Sequence, residues 1–532
     1  MRKIIFHFSD NALALNVEKF FKKISDHLYK NFALDLRAIS LMRMGIALLL
    51  MMDLVIRSTS IIAHYTDAGV LPLETLYTSN WNPNFFSIYC IGTGWKIIAF
   101  IFALNFFFAL ALFFGYKTRF MSVVCWIFLI SLHNRNPLIL QGGDELLRLC
   151  LFWGIFMPWG KRYSVDNLIS QKENENVLIL EGNIISEKKE KKTFYNVGAL
   201  GYIVLLFCVY FFSAMLKDSD EWRKSGTALY YALSLDQMAW PLGKAMYHSP
   251  GLLKFLTHYT FYLELLSGFL LFIPIKNQWF RTAFIFLIFT LHLGISLTLY
   301  VGLFFLIGMV TLVGLIPTEG MDRIEKRTKK IRIIFRKIFL WPAKKLQGFL
   351  TVKTNFKLNL NENIKYQLKL LWIGFLFFIL CYNVLWCVGK LWNSNIKVNQ
   401  KFVWIGYVFR FDQNWGMFAP SVFKDDGWYI YEAEMTDGKM IDLNRDGKEV
   451  DYKKPSDIID LYENDRWRKF GEIWQLQPDK VKQKFCVYLR NKWETAHPGQ
   501  KIKSLKIVYM LESTLPDYKY VLPTRTVQCD CQ

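Results

Sequence analysis

The apolar residues of this chain are gathered into long runs, such as 97–114, 197–216 and 370–388, and that clumping constrains the fold more than any other feature. A run of about 18 or more apolar residues crosses the hydrocarbon of a bilayer as a helix, because only there does every backbone N–H and C=O find a partner inside the segment. Spans fit at 39–56, 97–114, 120–138, 146–159, 197–216, 252–273, 282–297, 300–315 and 370–388, of which the fourth, seventh and eighth are the shortest. The chain is therefore expected to be an all-α polytopic membrane bundle of about nine transmembrane helices. No short apolar segment with a small-residue cleavage site lies near Met1, so the first span is expected to remain as its own anchor.

The formal net charge of +21 is concentrated in loops beside the apolar runs, where it sets orientation and contacts anionic lipid. No nucleic-acid-binding motif accompanies it, so no nucleic-acid partner is expected. Lys117 and Arg119, Lys161 and Arg162 with the lysines of 188–192, Lys276 with Arg281, and the cluster at 323–345 fall on one side, which is read as cytoplasmic together with the N-terminus. The segment 11–32 carries Leu13, Val17, Phe20, Phe21, Ile24 and Leu28 on one helical face, the pattern of a helix lying on the membrane surface, and 331–350 repeats it. The expected organisation is a surface segment over 1–36, a transmembrane domain over 37–392 with a cytoplasmic basic loop at 318–369, and a small extracytoplasmic α+β domain over 393–532. That last assignment rests on alternating stretches such as Trp428-Tyr429-Ile430-Tyr431 between Gly, Asp and Asn turns.

The chain has no P-loop, no dinucleotide fingerprint, no nucleophile elbow and no zinc-protease helix. Asp442-Leu443-Asn444-Arg445-Asp446-Gly447 imitates half of a calcium loop, but Lys453 stands where the bidentate carboxylate is required, so the segment reads as a hairpin turn and no metal is expected. Cys90, Cys486, Cys529 and Cys531 lie outside the spans and permit a disulfide whose pairing spacing alone does not settle; Cys529-Asp530-Cys531 suits metal binding or disulfide exchange. What remains is polar matter at the membrane. Lys217 ends one run and opens Lys217-Asp218-Ser219-Asp220-Glu221-Trp222, Arg135, Asp144, Glu145 and Arg148 flank the third and fourth runs, Glu264 interrupts the sixth and His292 the seventh. Ionisable groups in hydrocarbon pair with one another or line a cavity, and an amine whose charged form loses hydration becomes a candidate proton acceptor.

Several strings, in order and at matching spacing, resemble the HTTM family, the membrane domain shared by the vitamin K-dependent gamma-carboxylase and bacterial proteins. They are His64-Tyr65-Thr66-Asp67-Ala68-Gly69-Val70-Leu71-Pro72, Gly115-Tyr116-Lys117-Thr118-Arg119, Ser131-Leu132-His133-Asn134-Arg135-Asn136-Pro137 with Gly142-Gly143-Asp144, and Tyr163-Ser164-Val165-Asp166. Lys217 to Trp222 with Gly226, Glu264, His292 with Gly294, and Gln413-Asn414-Trp415-Gly416-Met417-Phe418 continue the match. In the carboxylase, a lysine in a Lys-Leu-Asp-Ala-Asp-Trp string is the base that deprotonates vitamin K hydroquinone. The resemblance gives that role to Lys217, with Trp222 at the same offset, and implies a cavity for a membrane quinone shaped by Trp222, Glu264, His292, Arg135 and Asp144.

The chain departs from the carboxylase in having Lys161-Arg162-Tyr163 where that enzyme has a histidine before Ser-Val-Asp, and the residues after about Trp392 are expected to form only a modest domain in place of its long luminal portion. Quinol-dependent oxidation or epoxidation thus fits better than glutamate carboxylation. The implied partners are the bilayer, a lipophilic quinone and an extracytoplasmic peptide or protein substrate, and the implied location is the plasma (inner) membrane. The rival reading is a non-catalytic multi-pass protein whose outer domain binds or matures a partner protein, its polar residues locking helices together.

Overall fold

The computed structural model describes residues 23, 26–170, 192–330, 333, 361–391 and 394–531. Most of the two amphipathic segments expected at 11–32 and 331–350 lies outside these residues. The described chain is mostly helical, and a helix occupies each of the nine apolar runs. These are α1 (Leu36–Ser58), α2 (Trp95–Phe114), α3 (Thr118–Arg135), α4 (Gly142–Ile155), α5 (Val197–Leu216), α6 (Pro250–Ser267), α7 (Asn277–Thr298), α8 (Phe304–Val313) and, after the short α9 (Thr318–Arg327), α10 (Glu362–Val388).

Among the described residues, six helices are long and apolar enough to cross a membrane: α1, α2, α5, α6 with its extension to Phe272, α7 and α10. The pair α8 and α9 would add one more, but the two are bent by 102° at their junction. The difference from nine has physical causes. Helix α3 ends in His133, Asn134 and Arg135, which dilute its hydropathy, and the 14 residues of α4 reach only about 21 Å of the roughly 30 Å of hydrocarbon.

Local signals explain the ends. Asn196 caps α5 by accepting from the Ala199 N–H at 2.9 Å. Helix α2 stops at Gly115, whose φ of +67° suits glycine, and an added Cβ there would stand 2.4 Å from the Ser164 Cβ and 2.5 Å from Arg43 Nη1. At the N-terminus of α4, Asp144 accepts from the Gln141 N–H at 2.8 Å, closing a capping box.

Polar contacts sort the ends of α1–α8 onto two faces. On one, β1 (Leu34–Asp35) pairs with β2 (Thr193–Phe194), Arg37 bridges Asp35, Asp322 and Glu325, and Arg281 donates to the backbone of Asn31 and Ala33. Asp166 accepts from the Lys117 and Thr118 N–H groups at 2.8 Å and closes the α2–α3 turn there. On the other face, Asn136 donates to the His64 carbonyl at 3.1 Å and Arg57 meets Asp144 at 2.8 Å.

The C-terminal region packs on this second face. Its antiparallel sheet has the order β5-β4-β3-β6-β7, with β3 Asp425–Met435, β4 Met440–Asp442, β5 Lys448–Glu449, β6 Ile502–Ser513 and β7 Thr524–Cys531. Helices α11 (Asp465–Trp474) and α12 (Asp479–Ala496) cover it. In the segment that leads into this sheet, Phe411 and Trp415 are buried in the helical core, and Arg148 holds the carbonyls of Arg410 and Asp412 at 2.7 Å.

A carboxyl at this junction makes stability pH-dependent. Asp426 accepts from the Asp236 N–H at 2.6 Å and is buried beside Asp236 and Glu512, with Lys454 bridging those two at 2.5 Å. Burial, reinforced by the neighbouring carboxylates, pushes Asp426 up to about 8. The folded protein then holds a proton that the unfolded chain gives up above pH about 4, so the contribution is full below that point and is lost as pH rises through about 8. Asp426→Asn is expected to remove a slope of up to ~1.4 kcal/mol per pH unit. Melting midpoints between pH 5 and 9 that run parallel in parent and variant would refute this.

Candidate functional site

Helix α5 presents Tyr210, Ser213 and Lys217 on one stripe, since residues three and four apart share a helical face. Lys217 closes the helix, and its ammonium turns back into the bundle, where the residue is only 2% exposed. Its Nζ donates to Ser213 Oγ at 2.9 Å and to Glu264 Oε2 on α6, and lies 4.9 Å from the centre of the Trp222 ring. A buried charge is tolerated when an opposite charge, a hydrogen-bond acceptor and an aromatic face replace its water. Here all three are present.

The corner is fixed from outside as well. Trp222 Nε1 donates to the Phe418 carbonyl at 2.9 Å, so the indole is held by the segment that leads into the C-terminal sheet. Arg223 Nε donates to the Lys217 carbonyl at 3.0 Å and its guanidinium pairs with Asp218 at 2.8 Å. The exposed charges of the 217–222 string are thus used to tie the corner, leaving Lys217 and Trp222 inward.

Deeper along the same stripe, Tyr210 and His292 Nε2 share a hydrogen bond of 3.0 Å. The imidazole packs on α8 at Gly308, where an added Cβ would stand 2.1 Å from its ring. His292 Nδ1 is buried with no hydrogen-bond partner among the described residues. Arg135 and Asp144, expected at the same cavity, belong to other clusters. Arg135 donates to the Leu71 carbonyl at 2.9 Å, while Asp144 is gripped by Arg57 and by Arg466 of α11. Neither bonds to Lys217, Glu264 or His292.

An apolar groove of about 760 Å³ runs along the outer face of α6 and reaches Leu287 of α7. Phe255, Tyr259, Tyr262, Leu266 and Ser267 line it, with Lys254 and His258 towards its Gly251 end. Lys217 does not line this groove. Glu264 stands on the same helix between the lining residues Leu263 and Ser267, and its side chain is the more exposed of the pair, 9% against 3% for Lys217.

Comparison with known families, curated proteins and solved structures finds no match to this chain.

Ser213 and Tyr210 were not singled out by sequence reasoning, and Phe418 entered only as the end of the string from Gln413. The first two were detectable as polar residues one and two turns before Lys217 on the same stripe, inside a run otherwise apolar. The Phe418 carbonyl left no side-chain signal, because a backbone acceptor is invisible in residue identity. The groove follows from α6 itself, whose outward residues keep large apolar side chains in view, with Phe255 64% and Leu266 57% exposed.

Proposed function

We propose that the chain is an HTTM-type, carboxylase-like integral membrane protein that crosses the bilayer nine times, with its basic face cytoplasmic and its C-terminal domain outside. In this reading it acts on a lipophilic quinol through the Lys217–Glu264 pair. The observation that carries the proposal is the buried amine held by Glu264 and Ser213 against Trp222, on a helix pair whose outer side carries an apolar groove.

The groove fits a lipophilic ring and tail in size, since sites for small ligands run from about 300 to 1,000 Å³. In this reading Phe255, Leu266 and Leu287 would hold the apolar body, and Tyr259 and Tyr262 would flank a ring. A bound hydroquinone would supply an acidic phenolic hydroxyl and reducing equivalents. Lys217 Nζ donates to Glu264 Oε2 and to Ser213 Oγ, which fix the amine's direction, and the indole face of Trp222 lies against it. Neither member of the pair lines the groove, so in this reading Glu264, carried by the groove-bearing helix, relays a proton to Lys217.

Removing a general base lowers a rate by roughly 10² to 10⁴-fold. Lys217→Ala, reconstituted in liposomes with a menaquinol-type hydroquinone, is expected to lose oxygen consumption and quinol oxidation on that scale. Turnover at the parent rate by a correctly inserted variant would sink the proposal.

One observation favours the second reading, a non-catalytic protein that binds or matures a partner. Arg57, Asp53, Asp144 and Arg466 clamp the C-terminal domain to the bundle by charge pairs of 2.6 to 2.8 Å, so polar residues of this chain do serve as locks.

A further inference from the structure

Strand β7 is the edge strand beside β6. Their register shifts where Ile507 pairs with Cys529 and Val508 with Val527, which makes Gln528 the extra residue of a bulge. Beyond the bulge Cys529 and Cys531 are two residues apart on one strand, so both side chains point to the same face. That face meets Cys486 of α12. Cys486 is disulfide-bonded to Cys531, and the Cys529 thiol lies 3.2 Å from Cys486 Sγ. All three sulfurs lie within 4.8 Å of one another and are buried.

We propose that Cys486, Cys529 and Cys531 form a thiol–disulfide exchange centre in which Cys529 displaces Cys531 from Cys486 and the freed Cys531 reacts with low-molecular-weight disulfides. The Cys529 thiol loses its proton to solvent and its sulfur bonds to Cys486. The Cys486–Cys531 bond breaks, its electron pair leaving on Cys531 as a thiolate. The number of disulfides is unchanged, so this step needs no oxidant. The Cys531 thiolate then attacks an external disulfide, forming a mixed disulfide and releasing one external thiolate.

The arrangement favours this over a static bridge. A static bridge needs two cysteines, and the third is placed against the sulfur that an incoming thiol must attack. Burial pushes the Cys529 thiol up, Lys482, one turn before Cys486 on α12, opposes that shift, and Asp479 and Asp530 add to it, so exchange speeds as pH rises. The attacked bond ties an edge strand, so breaking it leaves Cys531 at the rim of the sheet.

The test uses the full chain in detergent, acid-quenched, alkylated, digested and mapped by mass spectrometry. The parent is expected to show both Cys486–Cys531 and Cys486–Cys529 linkages. Oxidised glutathione is expected to modify Cys531 at least about ten-fold more in the parent than in Cys529→Ser, which keeps the Cys486–Cys531 bridge and so the fold. A single Cys486–Cys531 linkage with equal modification in both proteins overturns the proposal. So does purification with all three thiols reduced around one equivalent of zinc.

Discussion

Arg466→Ala is expected to cost about 3–5 kcal/mol of folded-state stability, the scale for removing one partner of a buried ion pair. Arg466 Nη1 meets Asp144 at 2.6 Å and Nη2 meets Asp53 at 2.7 Å, while Arg57 holds the same two carboxylates at 2.8 and 2.7 Å. Two guanidinium groups and two carboxylates balance, and all four side chains are at most 5% exposed. Losing Arg466 strands one negative charge where water cannot reach it. The same side chain also donates to the Ile139 carbonyl at 2.9 Å, and the next residue, Trp467, packs at a tilt against His64 with ring centres 4.4 Å apart. Burial, with Arg57 and Arg466 nearby, pushes His64 down to about 3, so the imidazole stays neutral at physiological pH. The expected readings are a lower melting midpoint in detergent and faster proteolytic release of the C-terminal region. The paired variant Arg466→Met with Asp144→Asn is expected to recover part of the loss, because the buried charge is balanced again. An unchanged midpoint for Arg466→Ala would show that the clamp is ornamental.

The helical positions were legible because apolar runs report burial in hydrocarbon directly, and each of the nine runs holds a helix. Their capacity to span was less legible. Run length counts apolar residues on either side of a break, whereas α4 starts at the capping box of Gln141 and Asp144, and α8 turns by 102° into α9. Of the candidate site, Lys217, Glu264 and Trp222 were readable as polar or aromatic residues in conspicuous places, and the structure brings them together. Arg135 and Asp144 were equally conspicuous but serve elsewhere, since a sequence tells that a buried charge needs a partner and not which one. Arg466 was invisible for the opposite reason. Asp465-Arg466-Trp467-Arg468-Lys469 reads as a solvated helix start, and its partners Asp53 and Asp144 lie more than 300 residues away in the chain. Phe411 and Trp415 gave no run of their own, because the apolar residues of their segment are too few, and their place in the bundle core shows only in the structure.

Lys217→Met combined with Glu264→Leu is expected to fold at least as well as the parent and to lose quinol turnover by roughly 10²-fold or more. The two single variants cannot separate structure from chemistry. Lys217→Met leaves the Glu264 carboxylate buried with no cation, and Glu264→Gln leaves the ammonium with neutral acceptors and the Trp222 ring but no counter-charge, so each is destabilised by the stranded partner. Replacing both by apolar side chains of similar length removes the stranded charge, and exchanges of this kind are neutral or stabilising by about 1–4 kcal/mol. If the pair is only a clasp between α5 and α6, the double variant restores whatever the protein does along with its melting midpoint. If the pair handles a proton, stability returns and turnover does not. Thermal unfolding and quinol oxidation, measured on the same liposome preparation across parent, both single variants and the double variant, decide between the two. Recovery of both quantities together would remove Lys217 from the chemistry and leave it as a helix lock.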